Sequence, residues 1–562
     1  SLFQMSELNI KTVTEWKALS SESLQNVLEK MTKELANKFS FSDVDVDTRK
    51  ELSNLFSEYF CESSPALRRI IICCVRILAR DSRHIEQLLS EKLSKYIIRS
   101  ALLSDDDFPF DWDVLIEAEM CLINALFNCS SMREIFQQMS CAKLIQRIHE
   151  VNIGADTSNE GKLMTVGDDA RMFCKYLHTV EEGGIDRLGF YDLRIAFIIS
   201  AHSIKLQTDW LAFGYEVLFN KIVENSLAHS HQLKRQSTDA INEGRPHADR
   251  CAEALKILFN LFCHADASKM NTTNTERCVK ACADIVSLDD VDPNLEQAAV
   301  NVLATVPASL NILMRKVDQE ECYTLSNHIE YDGVDMCFVD IMLRSLNRRL
   351  DQETCGDNEL LGTYFTVLIH LCTQSKEARR FARLKVMPPL RAEDVERRPD
   401  VGSEFRNKVV RVMMSACNCR QLAAEFFFIL CKRSVSRLLK YCGFGNAAGL
   451  LANYGFLGAI NQPKRQSDSE DSETEDYKQV ENLVNPVTGF IEPPHEDPLE
   501  GMSQEQKEYE AMQLVNAMSK LMDQGVISPG TVGEDGRVRP VKHVLELAPK
   551  DDPPDEEESD VD

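Results

Sequence analysis

A short pattern of small, leucine and polar positions recurs along the chain and constrains its fold more than any other feature. A small residue is followed by leucine after four positions and by a polar residue after six. The four copies start at Cys74, Ala118, Ala254 and Ala299. They are separated by 44, 136 and 45 residues, and 136 is close to three times 45. This regularity predicts a chain built from repeated units of about 45 residues.

The repeated units are predicted to be helical. Apolar residues recur at three- and four-residue spacing over residues 117–128, 192–202 and 422–433, whereas alternating strand patterns are almost absent. Repeats of about 40–47 residues with two or three helices each are typical of armadillo and HEAT proteins. The sequence thus predicts an all-α fold, with an armadillo/HEAT-like superhelical solenoid over residues 5–460. A mostly disordered acidic C-terminal segment with one amphipathic helix should follow it.

The polar residue of each copy is expected to face a groove. Stacked helical units bend into a rod with a long concave surface. The small residue lets neighbouring helices approach and leucine fills the core, so the polar position is left for the groove. The resulting row comprises Arg80, Asn124, Asn260 and Thr305. Two roles stay open for it: hydrogen bonding to the backbone of the neighbouring repeat, and direct contact with a bound partner.

The charge of the chain is concentrated at its C-terminal end. The chain has 562 residues, of which 44% are apolar, and a net charge of −26. From Gln466 onward it carries 26 acidic and 7 basic residues, whereas the preceding part carries 63 acidic and 56 basic residues. The length exceeds that of one compact globule. The acidic excess argues against nucleic-acid binding, because neutralising phosphates requires clustered Lys and Arg.

Cysteine usage and hydropathy predict a cytoplasmic protein. The 19 cysteines include no Cys-x-x-Cys pair, which argues against a structural zinc site. Scattered thiols of this kind suit a reducing compartment. No apolar run approaches the roughly 18 residues that a membrane span needs. We therefore expect no metal, no cofactor and no direct membrane insertion, and a protein that acts as a monomer.

Sequence patterns of catalytic sites are missing. Neither a Gly-x-Ser-x-Gly nucleophile pattern nor a P-loop occurs in the chain. The Asp43-x-Asp45-x-Asp47 run resembles the start of a calcium loop, but Thr48 and Asn54 stand where that loop needs Gly and a bidentate Glu. An α-solenoid without such patterns is expected to be a binding scaffold rather than an enzyme.

The C-terminal segment is predicted to consist of three parts. Residues 461–500 form an acidic linker rich in Ser, Asp and Glu, which predicts disorder or an extended form bound to the surface. Residues 501–525 form an amphipathic helix, with a capping box at its start and Leu514 and Met518 on its apolar stripe. Residues 526–562 form a disordered acidic tail. The helix either docks on the rod or binds a partner in a groove.

A basic segment precedes this acidic end. Arginine and lysine are frequent over residues 376–411, and Arg379, Arg380 and Arg383 fall on one face of a helix. A solvated helix face explains such a run as well as a functional site does. The alternative is that the segment receives the acidic, serine-containing linker less than a hundred residues further along the chain.

Seven segments resemble those of one known family. They lie at residues 75–81 (VRILARD), 190–197 (FYDLRIAF), 254–260 (ALKILFN), 386–391 (VMPPLR), 445–452 (GNAAGLLA), 485–492 (NPVTGFIE) and 498–515 (PLEGMSQEQKEYEAMQLV). In this order they resemble the synembryn family, also called resistance to inhibitors of cholinesterase. The likeness extends over most of the chain, whereas residues 154–161 and 236–245 diverge.

The resemblance implies a function for the predicted solenoid. The family acts as a chaperone and guanine-nucleotide exchange factor for heterotrimeric G-protein α subunits, without the βγ subunits. It binds the C-terminal helix of the α subunit in the concave groove and holds the GTPase nucleotide-free. The positions expected to bind the α subunit are Arg76, Arg80, Asn124, Asn260, Leu514 and Met518. The rival hypothesis is a generic armadillo-type adaptor without effect on nucleotide exchange.

The resemblance also implies a regulated linker. Ser469 and Thr474 match the two phosphorylated positions of the family, and their acidic flanks suit an acidophilic kinase such as casein kinase 2. Each phosphate adds about −1.5 to −2 charges and can recruit arginines. We expect a basic patch to receive the phosphates, formed by Arg348, Arg349, Lys376, Arg379 and Arg380. Recruitment to the cell cortex or plasma membrane would then proceed through the α subunit.

Overall fold

The molecule is described by a computed structural model in which two compact units are distinguished, Ser1–Ile312 and Leu313–Asp562. The described residues are 8–61, 63–102, 110–153, 182–234, 246–317, 329–352, 359–456, 474–493, 501–527, 530–532 and 538–541. Within these ranges both units are built from helices, and the paired strands form two short hairpins.

The first unit contains the helices α1 to α14. They are α1 (Ile10–Trp16), α2 (Ser21–Leu35), α3 (Val46–Phe60), α4 (Pro65–Leu78), α5 (Ile85–Leu88), α6 (Glu91–Leu102), α7 (Trp112–Asn128), α8 (Ser130–Ile153), α9 (Glu182–Ala201), α10 (Ile204–Ala212), α11 (Glu216–Leu227), α12 (Pro246–Cys263), α13 (Thr272–Val286) and α14 (Pro293–Thr305). Short 3-10 helices lie at Ser230–Leu233, Ala267–Lys269 and Pro307–Leu313.

These helices stack in two rows. In the first row, α2, α4, α7, α9, α12 and α14 each pack against the next member. In the second row the same holds for α3, α6, α8, α11 and α13, and each of these helices also packs against a member of the first row. Contacts between consecutive members of a row are the packing of an armadillo/HEAT-like solenoid. The predicted fold class is confirmed.

Local sequence signals set the starts of the first-row helices. Ser64 caps α4 by accepting the backbone N–H of Leu67, and Pro65 occupies the first helical position. Asp111 caps α7 in the same way through the N–H of Val114. These caps satisfy N–H groups that lack helical partners, so they favour a helix start at these residues.

The repeated sequence pattern marks the core of the first row. The small residues Cys74, Ala118, Ala254 and Ala299 are completely buried. The leucines that follow them are completely buried as well, at Leu78, Leu122, Leu258 and Leu303. Each pair lies on a different member of the first row. Small side chains thus allow close helix contact while leucine fills the space beside them, as the pattern predicts.

The second unit contains the helices α15 to α23. They are α15 (Cys337–Gln352), α16 (Glu359–Gln374), α17 (Lys376–Val386), α18 (Phe405–Met414), α19 (Arg420–Leu430), α20 (Val435–Cys442), α21 (Phe444–Asn453), α22 (Glu475–Val480) and α23 (Gln504–Asp523). The hairpin β1 (Glu330–Tyr331) and β2 (Val334–Asp335) precedes α15, and β3 (Gly530–Val532) pairs with β4 (Val538–Pro540) after α23. Short 3-10 helices lie at Ala392–Val395 and Glu481–Leu483.

The core of the second unit lies around α16 and α19. These two helices pack against each other, and α19 also contacts α17, α18 and α21. Phe365 and Phe426 meet in this interface, with ring centroids 5.8 Å apart. Among the described helices of the whole chain, none combines enough length and apolar character to cross a bilayer.

Candidate functional site

The asparagines of the predicted groove row bind the backbone of the preceding helix. Asn124 on α7 donates its Nδ2 to the carbonyl of Arg76 on α4, at 3.0 Å. Asn260 on α12 donates to the carbonyl of Phe197 on α9 at 3.2 Å and to Ser200 Oγ at 3.0 Å. These contacts satisfy acceptors near the C-terminal ends of helices, which often lack helical partners. Of the two roles left open by the sequence, the structure shows the backbone contact.

Thr305, the last member of the row, differs from the row's asparagines, whereas Asn128 resembles them. Thr305 donates its hydroxyl to the carbonyl of Val302 in its own helix, at 2.7 Å, whereas the row's asparagines donate to another helix. Asn128, which the repeat pattern did not select, donates to the carbonyl of Ala79 at 2.8 Å. The α4–α7 contact is therefore held by two asparagines one helical turn apart.

Arg80 fixes the start of the first row and remains half-buried. Its guanidinium donates to the carbonyl of Ala36 at 2.7 Å and to that of Lys38 at 3.3 Å, beyond the end of α2. It also lies 4.9 Å from the ring centroid of Phe39, which is the distance range of a cation–π contact. Arg80 thus joins two successive first-row helices and supports an aromatic ring at the surface.

Arg76 lies one turn before Arg80 on α4. Its Nε donates to Glu117 Oε1 on α7 at 2.5 Å, and its side chain is 22% exposed. A second contact joins its guanidinium to Cys73 Sγ at 3.5 Å. The charge of Arg76 is therefore balanced within the first row, and only part of the guanidinium reaches the surface.

Two exposed aromatic residues extend this region beyond what the sequence indicated. Phe39 is 70% exposed and Phe127, on α7 beside Asn128, is 64% exposed. In the sequence alone they are indistinguishable from core phenylalanines, because exposure depends on which neighbours are missing. We call Phe39, Arg76, Arg80, Asn124 and Phe127 the N-terminal surface. It combines arginines with accessible rings, the residue types enriched at interface hot spots.

The predicted basic patch contains arginines that already have protein partners. The guanidinium of the buried Arg349 lies 4.9 Å from the ring centroid of Tyr364. Arg379 donates to the carbonyl of Cys372 at 3.1 Å. Arg380 pairs with Asp332 at 3.1 Å. The remaining members, Arg348 and Lys376, are exposed near the end of α15 and at the start of α17.

Residues 474–491 dock on the second unit, and we call them the C-terminal strap. Thr474 caps α22 by accepting the N–H of Tyr477 at 3.4 Å, and its hydroxyl donates to the carbonyl of Leu390. Asp476 accepts the N–H of Ala392 at 3.0 Å. Tyr477 is 2% exposed, and Lys440 Nζ lies 4.5 Å from its ring centroid. Ser469 lies outside the described residues.

The second half of the strap pairs through its backbone. Phe444 N–H donates to the carbonyl of Pro486 at 2.9 Å, and Gly445 N–H donates to that of Val487 at 2.8 Å. Ile491 N–H donates to the carbonyl of Val395 at 2.8 Å. Segments 445–452 and 485–492 are two of the seven segments that resemble the synembryn family. They contact each other in the fold.

Glycines make this close approach possible. Gly443 and Gly489 have φ of +74° and +77°, a region that L side chains rarely adopt. A Cβ on Gly443 would lie 2.8 Å from the backbone nitrogen of Gly489. A Cβ on Gly489 would lie 2.8 Å from Pro399 Cγ. The docked strap therefore requires glycine at both positions.

Helix α23 buries none of its residues. Leu514 and Met512 are each 62% exposed, and Met518 is half-buried. Ser503 caps the helix by accepting the N–H of Gln506 at 3.2 Å. The predicted stripe is thus present on an ordered helix, and its apolar side chains remain accessible.

The family of the chain follows from comparison with known proteins. A family model described as guanine nucleotide exchange factor synembryn matches residues 71–537. The chain belongs to this family. The matched synembryn region contains the strap, α23 and most of the N-terminal surface, whereas Phe39 precedes it.

Relatives of the synembryn chain agree in length with it. "Chaperone ric-8" of Caenorhabditis elegans is 35% identical over 572 aligned residues, which cover 94% of this chain and 96% of that protein. "Chaperone Ric-8A" of Danio rerio is 31% identical, with coverage of 91% for both chains. "Chaperone Ric-8A" of Gallus gallus is 30% identical and covers 93% of this chain and 94% of its own.

Proposed function

We propose that this protein is a chaperone and guanine-nucleotide exchange factor for heterotrimeric G-protein α subunits. The observation that carries the proposal is the match of residues 71–537 to an exchange-factor family. Relatives of nearly the same length bear the name chaperone. The protein acts as a monomer on α subunits that are GDP-bound or nucleotide-free and lack βγ.

Exchange and chaperoning follow from one binding preference. A protein that binds the open, empty GTPase more tightly than the nucleotide-bound form lowers nucleotide affinity by the same coupling factor. Binding of GTP then reverses the coupling and releases the complex. The same preference stabilises a newly made, empty α subunit by mass action. No side chain of the exchange factor needs to take part in bond chemistry.

The contacts with the α subunit are proposed at two places. The N-terminal surface receives the C-terminal helix of the α subunit, with Arg76, Arg80 and Asn124 as expected from the family. The exposed rings of Phe39 and Phe127 support this assignment, since aromatic and arginine side chains dominate binding energy at interfaces. Asn260, which is 8% exposed, would contribute by fixing the position of its helix.

The apolar face of α23 forms the second contact. Leu514 and Met518 would pack against the GTPase domain in helix-in-groove fashion. Methionine suits this role because its flexible, polarisable side chain adapts to irregular surfaces. The partial exposure of Leu514 and Met518, on a helix with no buried residue, supports a partner of this kind.

Phosphorylation of the linker is proposed to regulate this contact. Ser469 and Thr474 would be modified by an acidophilic kinase such as casein kinase 2, and Arg348, Arg349, Lys376, Arg379 and Arg380 would receive the phosphates. The hydrogen bonds from Thr474 to Leu390 and from Ala392 to Asp476 support the idea, because they hold Thr474 on the unit that contains the five basic residues. Substituting both phosphorylated positions by alanine should then lower the exchange rate.

The location of the protein follows from its proposed partner. We place it in the cytoplasm, with recruitment to the cortex or plasma membrane through the α subunit. The alternative function is that of a generic armadillo-type adaptor that has no effect on nucleotide exchange. The two functions differ in their effect on bound nucleotide.

Release of labelled GDP from a purified α subunit tests the proposal. The wild-type protein should accelerate release, and Arg80→Glu or Leu514→Asp should reduce the acceleration about tenfold or more, because each removes a central contact. Arg69→Glu is the matched control on α4, where Arg69 is 53% exposed and makes one 3.9 Å contact with Asp113. Asn516→Asp is the control on α23. Unchanged GDP release with wild-type protein would favour the adaptor.

A further inference from the structure

Two cysteines meet in the loop between α18 and α19. Cys417 Sγ lies 3.4 Å from Cys419 Sγ, and both cysteines are free thiols. The Arg420 N–H donates to the carbonyl of Cys417 at 3.3 Å, so a turn brings the two cysteines together. A disulfide needs Cα atoms about 4.4–6.8 Å apart, which residues two positions apart in a turn satisfy. The sulfurs would have to approach by about 1.4 Å to reach bonding distance, and rotation of one side chain supplies this movement.

The two thiols differ in their access to solvent. Cys419 is 2% exposed, and its Cβ would lie 3.8 Å from a Cβ added to Gly362 on α16. Its carbonyl accepts the N–H of Ala423 at 3.0 Å, which fixes it at the start of α19. Cys417 is half-buried, and its neighbour Asn418 is exposed. A reagent in solution therefore reaches Cys417 more readily than Cys419, which is held in position beside it.

A second pair of cysteines has similar exposure and different geometry. Cys73 and Cys74 are adjacent on α4, where the first is half-buried and the second is completely buried. Adjacent Cα atoms are about 3.8 Å apart, which is shorter than the usual range for a disulfide. Successive side chains of an α-helix also diverge by about 100°. A disulfide between these two cysteines would thus require α4 to unwind, whereas the pair in the loop can close without loss of a helix.

We propose that Cys417 and Cys419 form a site of reversible thiol oxidation, which closes to a disulfide on reaction with a small disulfide such as oxidised glutathione. The Cys417 thiolate attacks one sulfur of the reagent, whose S–S bond breaks, and the first glutathione thiolate leaves and takes up a proton. Cys419 then attacks the Cys417 sulfur, and its proton goes to the second departing glutathione. Two protein thiols are oxidised, and one oxidised glutathione is reduced to two thiols.

Such a site suits the cytoplasmic location proposed above. Disulfides in the cytosol are usually transient, and many of them sense the redox state. The closed ring would constrain the turn that leads into α19, a helix at the core of the second unit. A ring of three residues gains less loop-closure stabilisation than a long loop does, which favours reduction when the oxidant is removed.

Incubation of the full chain with defined ratios of oxidised to reduced glutathione tests the proposal. After free thiols are blocked with iodoacetamide, trypsin cleaves behind Arg411 and Arg420 and releases both cysteines on one peptide, residues 412–420. This peptide should appear without alkylation and two hydrogens lighter than its dithiol, and dithiothreitol should reverse the change. The comparison peptide, residues 70–76, carries the adjacent pair of α4. Its disulfide form should be at least about tenfold rarer, because those thiols are not positioned to react with each other.

Single substitutions separate the roles of the two thiols. Cys419→Ser should prevent ring closure and leave glutathione on Cys417. Cys417→Ser should leave at least about tenfold less glutathione on the buried Cys419, because thiol reactivity requires access. Cys61 is exposed, with Sγ 2.9 Å from Tyr96 Oη, and serves as the control that should take up glutathione in every variant. Thermal unfolding of the reduced proteins shows whether Cys419→Ser folds; if it does not, the wild type and Cys417→Ser decide.

Several results would overturn the proposal. One is a dithiol in peptide 412–420 at glutathione ratios that modify Cys61. Another is stable glutathione on Cys417 of the wild type in place of the disulfide. Equal disulfide formation in the two peptides would show that the short distance between the loop sulfurs is unimportant. Equal amounts of glutathione on the two single variants would contradict the order of the steps.

Discussion

Helices α7 and α23 have similar lengths and opposite environments. α7 spans 17 residues, and most of its side chains are buried between α4, α6 and α9. α23 spans 20 residues, and none of its side chains is buried. Both begin with a side-chain cap, Asp111 in one case and Ser503 in the other. The caps alone therefore do not account for the difference.

The difference teaches which helix depends on its own chain and which depends on a partner. Most helical stability in proteins comes from packing an apolar face rather than from intrinsic helix propensity. α7 obtains this packing from its neighbours in the first row. Among the described residues α23 has no buried side chain, so binding to an external surface would add stabilisation, as the proposed function requires.

The largest effect is expected from the buried ion cluster around α7. Arg147 on α8 contacts Glu119 on α7, Asp192 on α9 and the carbonyl of Ala101 on α6, and the side chains are at most 5% exposed. Arg147→Ala leaves buried carboxyl groups without their cation, which should cost about 3–5 kcal/mol. Urea unfolding measures the loss. Leu514→Ala in α23 is the comparison and should leave the unfolding midpoint unchanged; equal losses would contradict the contrast between the helices.

The same cluster should make the stability of the first unit depend on pH. Burial raises the pKa of Glu119 to about 8, with Arg147 opposing the shift and Asp192 adding to it. Between about pH 4.5 and 8 the folded chain thus holds a proton that the unfolded chain has released, so stability falls as pH rises, by up to about 1.4 kcal/mol per unit. Glu119→Gln cannot titrate and should lack this slope. Unfolding free energies at pH 5, 6, 7 and 8 compare the two proteins, and parallel profiles would contradict the assignment.

A smaller effect is expected at the C-terminal strap, whose burial is intermediate between that of α7 and that of α23. Gly489→Ala combines a positive φ with a contact 2.8 Å from Pro399 Cγ, so docking should weaken by about 2 kcal/mol. Hydrogen exchange at the amides of Gly445 and Ile491 measures this. Gly501→Ala is the control, because its φ is +89° and its Cβ would meet no atom within 4 Å. Equal exchange in both variants would show that the close contact is unimportant.

The smallest effect is expected from the cap of α23. Ser503→Ala removes the acceptor for the Gln506 N–H and should cost the helix about 1 kcal/mol. Amide exchange within α23 should accelerate while the global unfolding midpoint stays constant, because the helix buries none of its residues in the part of the chain that the structure describes. Asp111→Ala in α7 is the counterpart. In α7 the lost stability should lower the free energy of global unfolding. Faster amide exchange in α7 alone, with unchanged global unfolding, would contradict the contrast between the two helices.

The buried part of the fold could be predicted to a large extent. Spacing of Ala118 and Leu122, and of Ala254 and Leu258, predicted helices that pack on their neighbours, and all four residues are completely buried. This succeeds because helix periodicity and side-chain size are local properties. For Asn124 the sequence left two roles open, since the carbonyl that it binds is 48 residues away.

The candidate surfaces were less predictable. Arg349 and Lys376 look equally basic in the sequence, yet one is buried against Tyr364 and the other is exposed. The sequence likewise gives no sign that Phe39 and Phe127 lie at the surface. Exposure is a property of the assembled neighbours, and no local pattern encodes it. The roles of these residues in binding an α subunit stay predictions.

By itself the sequence determined the helical repeat, the acidic end and the amphipathic α23, because each depends on residues close together in the chain. Only the tertiary structure decided that Gly443 receives Gly489 and that Arg147 joins two carboxyl groups. These contacts link residues dozens of positions apart. Their energies depend on burial and on distances of about 3 Å, which are set only when the helices have packed.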